Sequence, residues 1–179
     1  MQPIKGYNEA QESGDFERLP AGGYVVKITD VKDEPAKSYI VITYDISEGQ
    51  YRGFYQNTDE KFVKSHQFIR SYKPTALGMF KGFISAVDKS NGTKFGDLIE
   101  EQGLDERKLI GKVFGALIGE EEYEDNRGEV KTVLKVRTCV EADRIRKGNF
   151  KVPELKKLEK KQGEVPSGFQ QIGDADLPF

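Results

Sequence analysis

The chain has 179 residues, with 28 Lys+Arg against 30 Asp+Glu and a formal charge of −2. That length suits one domain with a proper core plus tails, and is short for two ordinary domains. A single cysteine, Cys139, and a single histidine, His66, exclude an internal disulfide and a structural zinc site built from Cys and His ligands.

The near-neutral total hides a polarity along the chain. Residues 1–142 are net −4, residues 143–161 net +5 and residues 162–179 net −3. A partner senses charge within a Debye length of about 8–10 Å, so this segregation says more than the total does. The chain has no apolar run of the ~18–20 residues that a spanning helix needs, and its first residues lack the apolar core of a signal peptide. A soluble cytoplasmic protein is the expectation, with no membrane partner.

Residues 1–20 are polar and broken by Gly6, Gly14 and Pro20, which predicts an arm anchored by Phe16 and Leu19. From Gly22 the period is two. Tyr24, Val26 and Ile28 alternate with Val25, Lys27 and Thr29, and after the polar stretch Asp33–Lys37 the residues Ile40, Ile42, Tyr44 and Ile46 alternate again. Their β-branched and aromatic content favours strands. Glu48-Gly49-Gln50 reads as a turn and Arg52–Tyr55 as the start of a further strand, with His66–Lys73 also strand-like up to Pro74. The period then changes. Leu77, Phe80, Ile84 and Val87, with Phe83 beside them, mark an amphipathic helix ended near Asn91-Gly92, and a short helical stretch follows at Phe95–Gly103. Gly111–Gly119 predicts a strand whose internal Gly115 suits a bend or a close backbone approach. Glu120–Arg127 reads as an acidic loop. Val130–Ala142 alternates once more, with Val130, Thr132, Leu134, Val136, Thr138 and Val140 inward and Lys131, Val133, Lys135, Arg137 and Cys139 outward. Pro153, Leu155 and Leu158 allow about two turns of basic helix, and residues 162–173 have linker composition.

This order predicts a mainly β fold: an OB-fold-like five-stranded antiparallel barrel with a helix between strands 3 and 4, plus flexible tails. The expected organisation is an arm at 1–20, the barrel at 21–142, a basic and partly helical extension at 143–161 and a linker with an acidic tip at 162–179.

Neither GxxxxGK[ST] nor GxGxxG occurs, and no Ser/His/Asp arrangement stands out. The expectation is a binding protein rather than an enzyme, with no cofactor and no metal. Single strands of nucleic acid are held by aromatic platforms interleaved with cations. The candidate contacts are Tyr39, Arg52, Arg70, Tyr72, Lys73, Lys112, Phe114, Lys135 and Arg137. Strand aromatics are also the usual stuff of cores, and that reading applies to Tyr24, Tyr44, Phe80 and Phe83. Tyr39, Tyr72 and Phe114 share strand faces with polar neighbours and stand between the two.

At the C-terminal end, Asp174 and Asp176 surround Leu177, Pro178 and Phe179. The stretch DADLPF resembles the tip of bacterial single-stranded DNA-binding proteins, which ends in acids, an aliphatic residue, Pro and Phe. LPAGGYVVKI, SYKPTALGMFKGFISAV, LIGKVFGALIGEEEY with GEVKTVLKVR, and FKVPELKKL resemble a family of phage single-stranded DNA-binding proteins long labelled only as a domain of unknown function. These stretches span most of residues 19–158. The resemblance implies an OB-like barrel and a role in phage DNA replication or recombination, and it carries no binding residues over one by one.

The function expected is therefore coating of single-stranded DNA, with Asp174, Asp176, Leu177, Pro178 and Phe179 recruiting replication or recombination proteins. Homo-oligomers are compatible with this reading. The alternatives are an adaptor or inhibitor that binds protein and no DNA, and a small nuclease using the acids of Glu120–Glu124.

Overall fold

A computed structural model describes residues 18–56 and 65–158. Five strands form one antiparallel sheet: β1 (Gly22–Glu34), β2 (Tyr39–Ile46), β3 (Gln67–Ser71), β4 (Val113–Glu124) and β5 (Val130–Val140). The spatial order is β3-β2-β1-β4-β5, so β1 is central and β3 and β5 are the edges. Helices α1 (Leu77–Asn91) and α2 (Phe95–Gln102) lie between β3 and β4 in sequence. This is the OB-like arrangement expected, left open between its two edge strands.

Alternation sets the core. Val26, Ile28 and Val31 of β1, Ile40, Ile42, Tyr44 and Ile46 of β2, and Phe114, Ala116 and Ile118 of β4 all point inward and are buried. Helix α1 adds Phe80, Phe83, Ile84, Ala86 and Val87 to them, and Leu19 closes the N-terminal side. Leu77, expected on that stripe, is exposed in the first turn of the helix. Pro74 opens a short 3-10 turn ahead of α1, and Gly92, at φ +65°, ends the helix. Asn91 fixes α1 to the sheet: its Nδ2 donates to the Val113 carbonyl at 2.8 Å, and its Oδ1 accepts from the Val113 N–H at 3.1 Å.

The structure corrects four local expectations. Residues 51–56 are a chain of turns, not a strand start, because Gly53 N–H bonds back to the Ile46 carbonyl at 2.9 Å and Phe54 and Gln56 close further turns. Glu120–Glu124 belong to β4, paired with β5 as far as Glu124 opposite Val130, so the connecting turn is only the stretch around Asn126–Gly128. A bulge at Arg137 breaks the alternation of β5, since Leu117 faces Thr138 while Ile118 faces Val136. Before it Leu134 and Val136 pack on the core, but after it Cys139 does so and Val140 turns outward beside Gly115.

The fourth correction concerns the extension. Helix forms at α3 (Ala142–Arg146), directly after β5, not at Pro153–Leu158. The later segment is extended and lies parallel to β4. Lys156 N–H donates to the Glu120 carbonyl at 3.0 Å, and Glu122 N–H to the Lys156 carbonyl at 2.9 Å. Because β1 pairs with β4 only as far as Gly22 opposite Ile118, the segment occupies the β4 edge that β1 leaves open. Glycines let it approach. A Cβ on Gly23 would sit 2.6 Å from Phe150, on Gly115 2.7 Å from Ile145 and on Gly119 2.7 Å from Pro153. The extension thus covers the outer face of the sheet around Gly23 of β1 and Gly115 and Gly119 of β4.

Candidate nucleic-acid interface

The outer face of β2 and β3 stays open. Tyr39, Val41 and Thr43 alternate outward from β2, paired with Ser71, Ile69 and Gln67 of β3, with Thr43 itself buried. Ile69 is 52% exposed, Val41 and Tyr39 are half-buried, and the Lys37 ammonium lies 5.9 Å from the Tyr39 ring centroid. Gln67 Nε2 donates to Thr43 Oγ1 at 2.9 Å, fixing the amide on the strand. The face thus offers one partly exposed ring, Tyr39, with a cation near it and aliphatic side chains beside it.

This face runs into a cleft of about 800 Å³ lined by Lys27, Thr29, Asp45, Arg52, Gln56 and His66 among others. Lys27 and Thr29 project from the exposed side of β1, and Arg52 and Gln56 from the turns after β2. Asp45 is committed to the fold, because its Oδ1 accepts from Tyr55 N–H at 2.9 Å and Ile46 N–H at 2.7 Å. Behind the cleft the rings form a chain. Tyr51 meets Phe54 at 6.0 Å, Phe54 meets Tyr55 at 5.0 Å, and Tyr55 stacks on His66 at 4.6 Å. Burial pushes the His66 imidazole below its ordinary pKa, while nearby Asp45 pulls it part of the way back. Burial also raises the Tyr55 phenol to about 12, opposed by its hydrogen bond with Tyr44 and reinforced by Asp45.

A second charged surface lies on the β4–β5 hairpin. Glu121 gathers Lys135 at 3.4 Å, Arg137 at 3.5 Å and Lys156 at 3.5 Å. Burial alone would raise the Glu121 carboxyl, and Lys135 and Lys156 outweigh it to hold the group below the usual carboxylate range. Arg137 and Lys156 also line an open pocket of about 570 Å³ with Lys151.

The nine predicted contacts therefore divide. Tyr39 and Arg52 lie on the open face and its cleft, and Lys73 is exposed just beyond β3. Lys112 is half-buried beside the first residue of β4, its carbonyl accepting from Ile28 N–H at 2.9 Å. Tyr72 sits at the rim, edge-on to Phe80 at 6.0 Å, with its hydroxyl donating to Asp33 Oδ1 at 3.0 Å. Lys135 and Arg137 belong to the hairpin and are paired there.

Two expectations are corrected. Phe114 is fully buried between Phe68 and Phe83, because its position on β4 alternates with Gly115 and puts the ring inside. Arg70 is also buried, on the inward side of β3, with its guanidinium 4.6 Å from the Phe68 ring centroid. Asp174, Asp176, Leu177, Pro178 and Phe179 lie outside the described residues, as does the 162–173 linker.

Sequence reasoning passed over Ile69, Lys37 and the role of Glu121. Period two across β3, with Phe68 inward, could have placed Ile69 outward. Glu121 was hidden by reading its neighbourhood as a loop. Its neighbours do not converge on one site: Glu120 pairs with Arg18 at 3.7 Å, and Glu122 accepts from the Leu158 N–H at 3.0 Å. Among the described residues, no group of three or more His, Cys, Asp or Glu side chains is placed to hold a metal ion, and no helix is long and apolar enough to cross a membrane.

The model of a family described as "Protein of unknown function (DUF669)" matches residues 5–143. No curated protein matches the chain.

Proposed function

The chain belongs to the DUF669 family of proteins of unknown function, and from its open outer face we propose that it binds single-stranded DNA and catalyses no reaction. One observation carries this reading: Tyr39, Val41 and exposed Ile69 form a strip on β2 and β3 that leads into a cleft holding Lys27 and Arg52. In OB-like folds the same pair of strands offers its face to oligonucleotides. Stacking on such a strip is sequence-tolerant, and the flanking cations track the phosphates. The protein coats single strands during phage DNA replication or recombination, in the cytoplasm of a bacterial host. Its acidic tip, with Asp174, Asp176, Leu177, Pro178 and Phe179, recruits partner proteins of the same process.

Fluorescence anisotropy with labelled oligo-dT and a duplex of equal length tests the proposal. Preferential, salt-sensitive binding of oligo-dT is expected. A folded protein that ignores both would favour the adaptor or inhibitor reading, and Mg²⁺-dependent cleavage would favour the nuclease.

A further inference from the structure

Three cations from two separate stretches of chain share one carboxylate on the hairpin. Lys135 and Arg137 come from β5, Lys156 from the extended segment, and Glu121 from β4. The separations of 3.4–3.5 Å exceed the ~2.7–2.9 Å of a tight charged hydrogen bond. Arg137 Nη1 is buried with no hydrogen-bond partner among the described residues. Lys135 and Lys156 keep more than half of their side chains exposed, at 53% and 55%. The other carboxylates nearby are engaged elsewhere: Glu154 with Lys151 at 2.8 Å, Glu120 with Arg18 and Glu122 with the Leu158 N–H. The cluster therefore has more positive charge and more donors than one carboxylate can satisfy.

We propose that Glu121 holds the place of a nucleic-acid phosphate, so that Lys135, Arg137 and Lys156 form a second contact for the single strand and Glu121 limits its strength. This rests on the single-stranded DNA-binding reading and adds to it a site and its control. A backbone phosphodiester spreads one negative charge over two oxygens, as a carboxylate does, and so suits the same guanidinium flanked by two ammonium groups. The cluster is separated from the β2–β3 strip by α3 and the segment packed over Gly23, Gly115 and Gly119. A strand that uses both surfaces must pass around that cover, so the second contact belongs to longer oligonucleotides.

The test compares the wild-type chain with Glu121→Gln, with Lys135→Ala/Lys156→Ala and with the combined triple variant, titrated with short and long oligo-dT at several salt concentrations. Glu100→Gln on α2 controls for total charge. Glu121→Gln is expected to bind long oligo-dT more tightly at low salt, with a log K against log salt slope steeper by ~0.7 for each phosphate gained. The lysine pair should flatten the wild-type slope, the triple variant should lose the gain, and Glu100→Gln should leave the slope unchanged. Unfolding curves identify any variant that fails to fold, and the lysine pair then decides alone. Wild-type binding with equal slopes in all variants would overturn this inference and leave the β2–β3 interface standing. A wild-type chain that binds no oligo-dT would overturn both.

Discussion

Arg70 Nη2 donates to Cys139 Sγ at 3.2 Å, and this contact links β3 to β5, the two sheet edges that no backbone ladder joins. Arg70 Nη1 also donates to the Ile69 carbonyl at 2.9 Å, and the guanidinium plane rests on Phe68. The seam is thus held by a buried cation against a thiol and a ring. Burial pushes the Cys139 thiol above its ordinary pKa, and the Arg70 charge pulls it part of the way back.

Two substitutions separate a core role for Arg70 from a DNA contact. Replacing a buried charge by an apolar side chain of similar volume is often neutral, so Arg70→Met should unfold within about 1 kcal/mol of wild type. Arg70→Ala should lose about 2–3 kcal/mol, because the stem that packs in the seam is gone. Urea unfolding measures both. If Arg70→Met keeps its stability but loses oligo-dT affinity, Arg70 is a DNA contact after all.

The glycines under the extension give the second prediction. A Cβ on Gly115 would meet Ile145 at 2.7 Å, Val140 at 2.9 Å and the Glu141 carbonyl at 3.0 Å. Backbone cannot yield as a side chain can, so Gly115→Ala should cost about 1–3 kcal/mol of global stability. A Cβ on Gly119 meets Pro153 at 2.7 Å and Arg137 Cγ at 3.2 Å. Gly119→Ala should instead lift the segment around Pro153 off β4. Limited proteolysis should then cut at Lys151, Lys156 or Lys157 faster than in wild type, with the barrel intact. Equal cutting in both would mean that the segment is not held by this contact.

Most of the sheet was legible because period two survives wherever one face is buried, as from Ile40 to Ile46. Legibility failed where geometry depends on a partner far away in sequence. The bulge at Arg137 is set by its pairing with Leu117 and Ile118, and it exchanges the faces of Cys139 and Val140. Pro153–Leu158 has helical spacing, yet an open β4 edge takes it up as an extended segment through a single parallel bridge at Lys156. Arg70 looked like a surface cation because residue type outweighed its position between Ile69 and Ser71 on the inward side. Phe114 was ambiguous for a related reason: glycine at 115 says nothing about which face is buried until α3 is seen lying over it.

Alkaline titration gives a third prediction. Burial, with help from the neighbouring Tyr51 and Tyr55 phenols, raises Tyr24 to about 12, and Tyr55 reaches about 12 as well. Tyr44 and Tyr72 are also raised, mainly by burial. A group whose pKa is higher in the folded state stabilises the fold below the unfolded phenol value of ~10 and loses that contribution as pH rises through the folded value. Stability should therefore fall between about pH 10 and pH 12, with delayed ionisation of these tyrosines followed by loss of structure. Tyrosinate absorbance read beside circular dichroism checks this. Ionisation of every tyrosine near pH 10 without unfolding would contradict the packing described.

The last prediction sets Tyr39 against Phe114, two aromatics that the sequence left equally placed between surface and core. Tyr39 is half-buried on the outer face of β2, across from Ser71 of edge strand β3 and with Lys37 near its ring. Phe114 is fully buried on interior strand β4, 5.4 Å from Phe83 and 5.9 Å from Phe68. Tyr39→Ala should weaken oligo-dT binding by about 1–3 kcal/mol, the worth of one stacked base, with unfolding close to that of wild type. Phe114→Ala should cost about 3–5 kcal/mol of stability through the cavity it leaves. Any fraction that stays folded should bind DNA normally, because the cavity lies behind the sheet and changes no exposed ring or charge. Adding Ile69→Ala to Tyr39→Ala should weaken binding further without moving the unfolding midpoint, since Ile69 is half exposed beside Val41 on the same strip. Anisotropy titrations and thermal melts on the same preparations give both quantities. If Tyr39→Ala melts early and binds normally, the ring is structural, and the proposed path of the single strand across β2 and β3 is wrong.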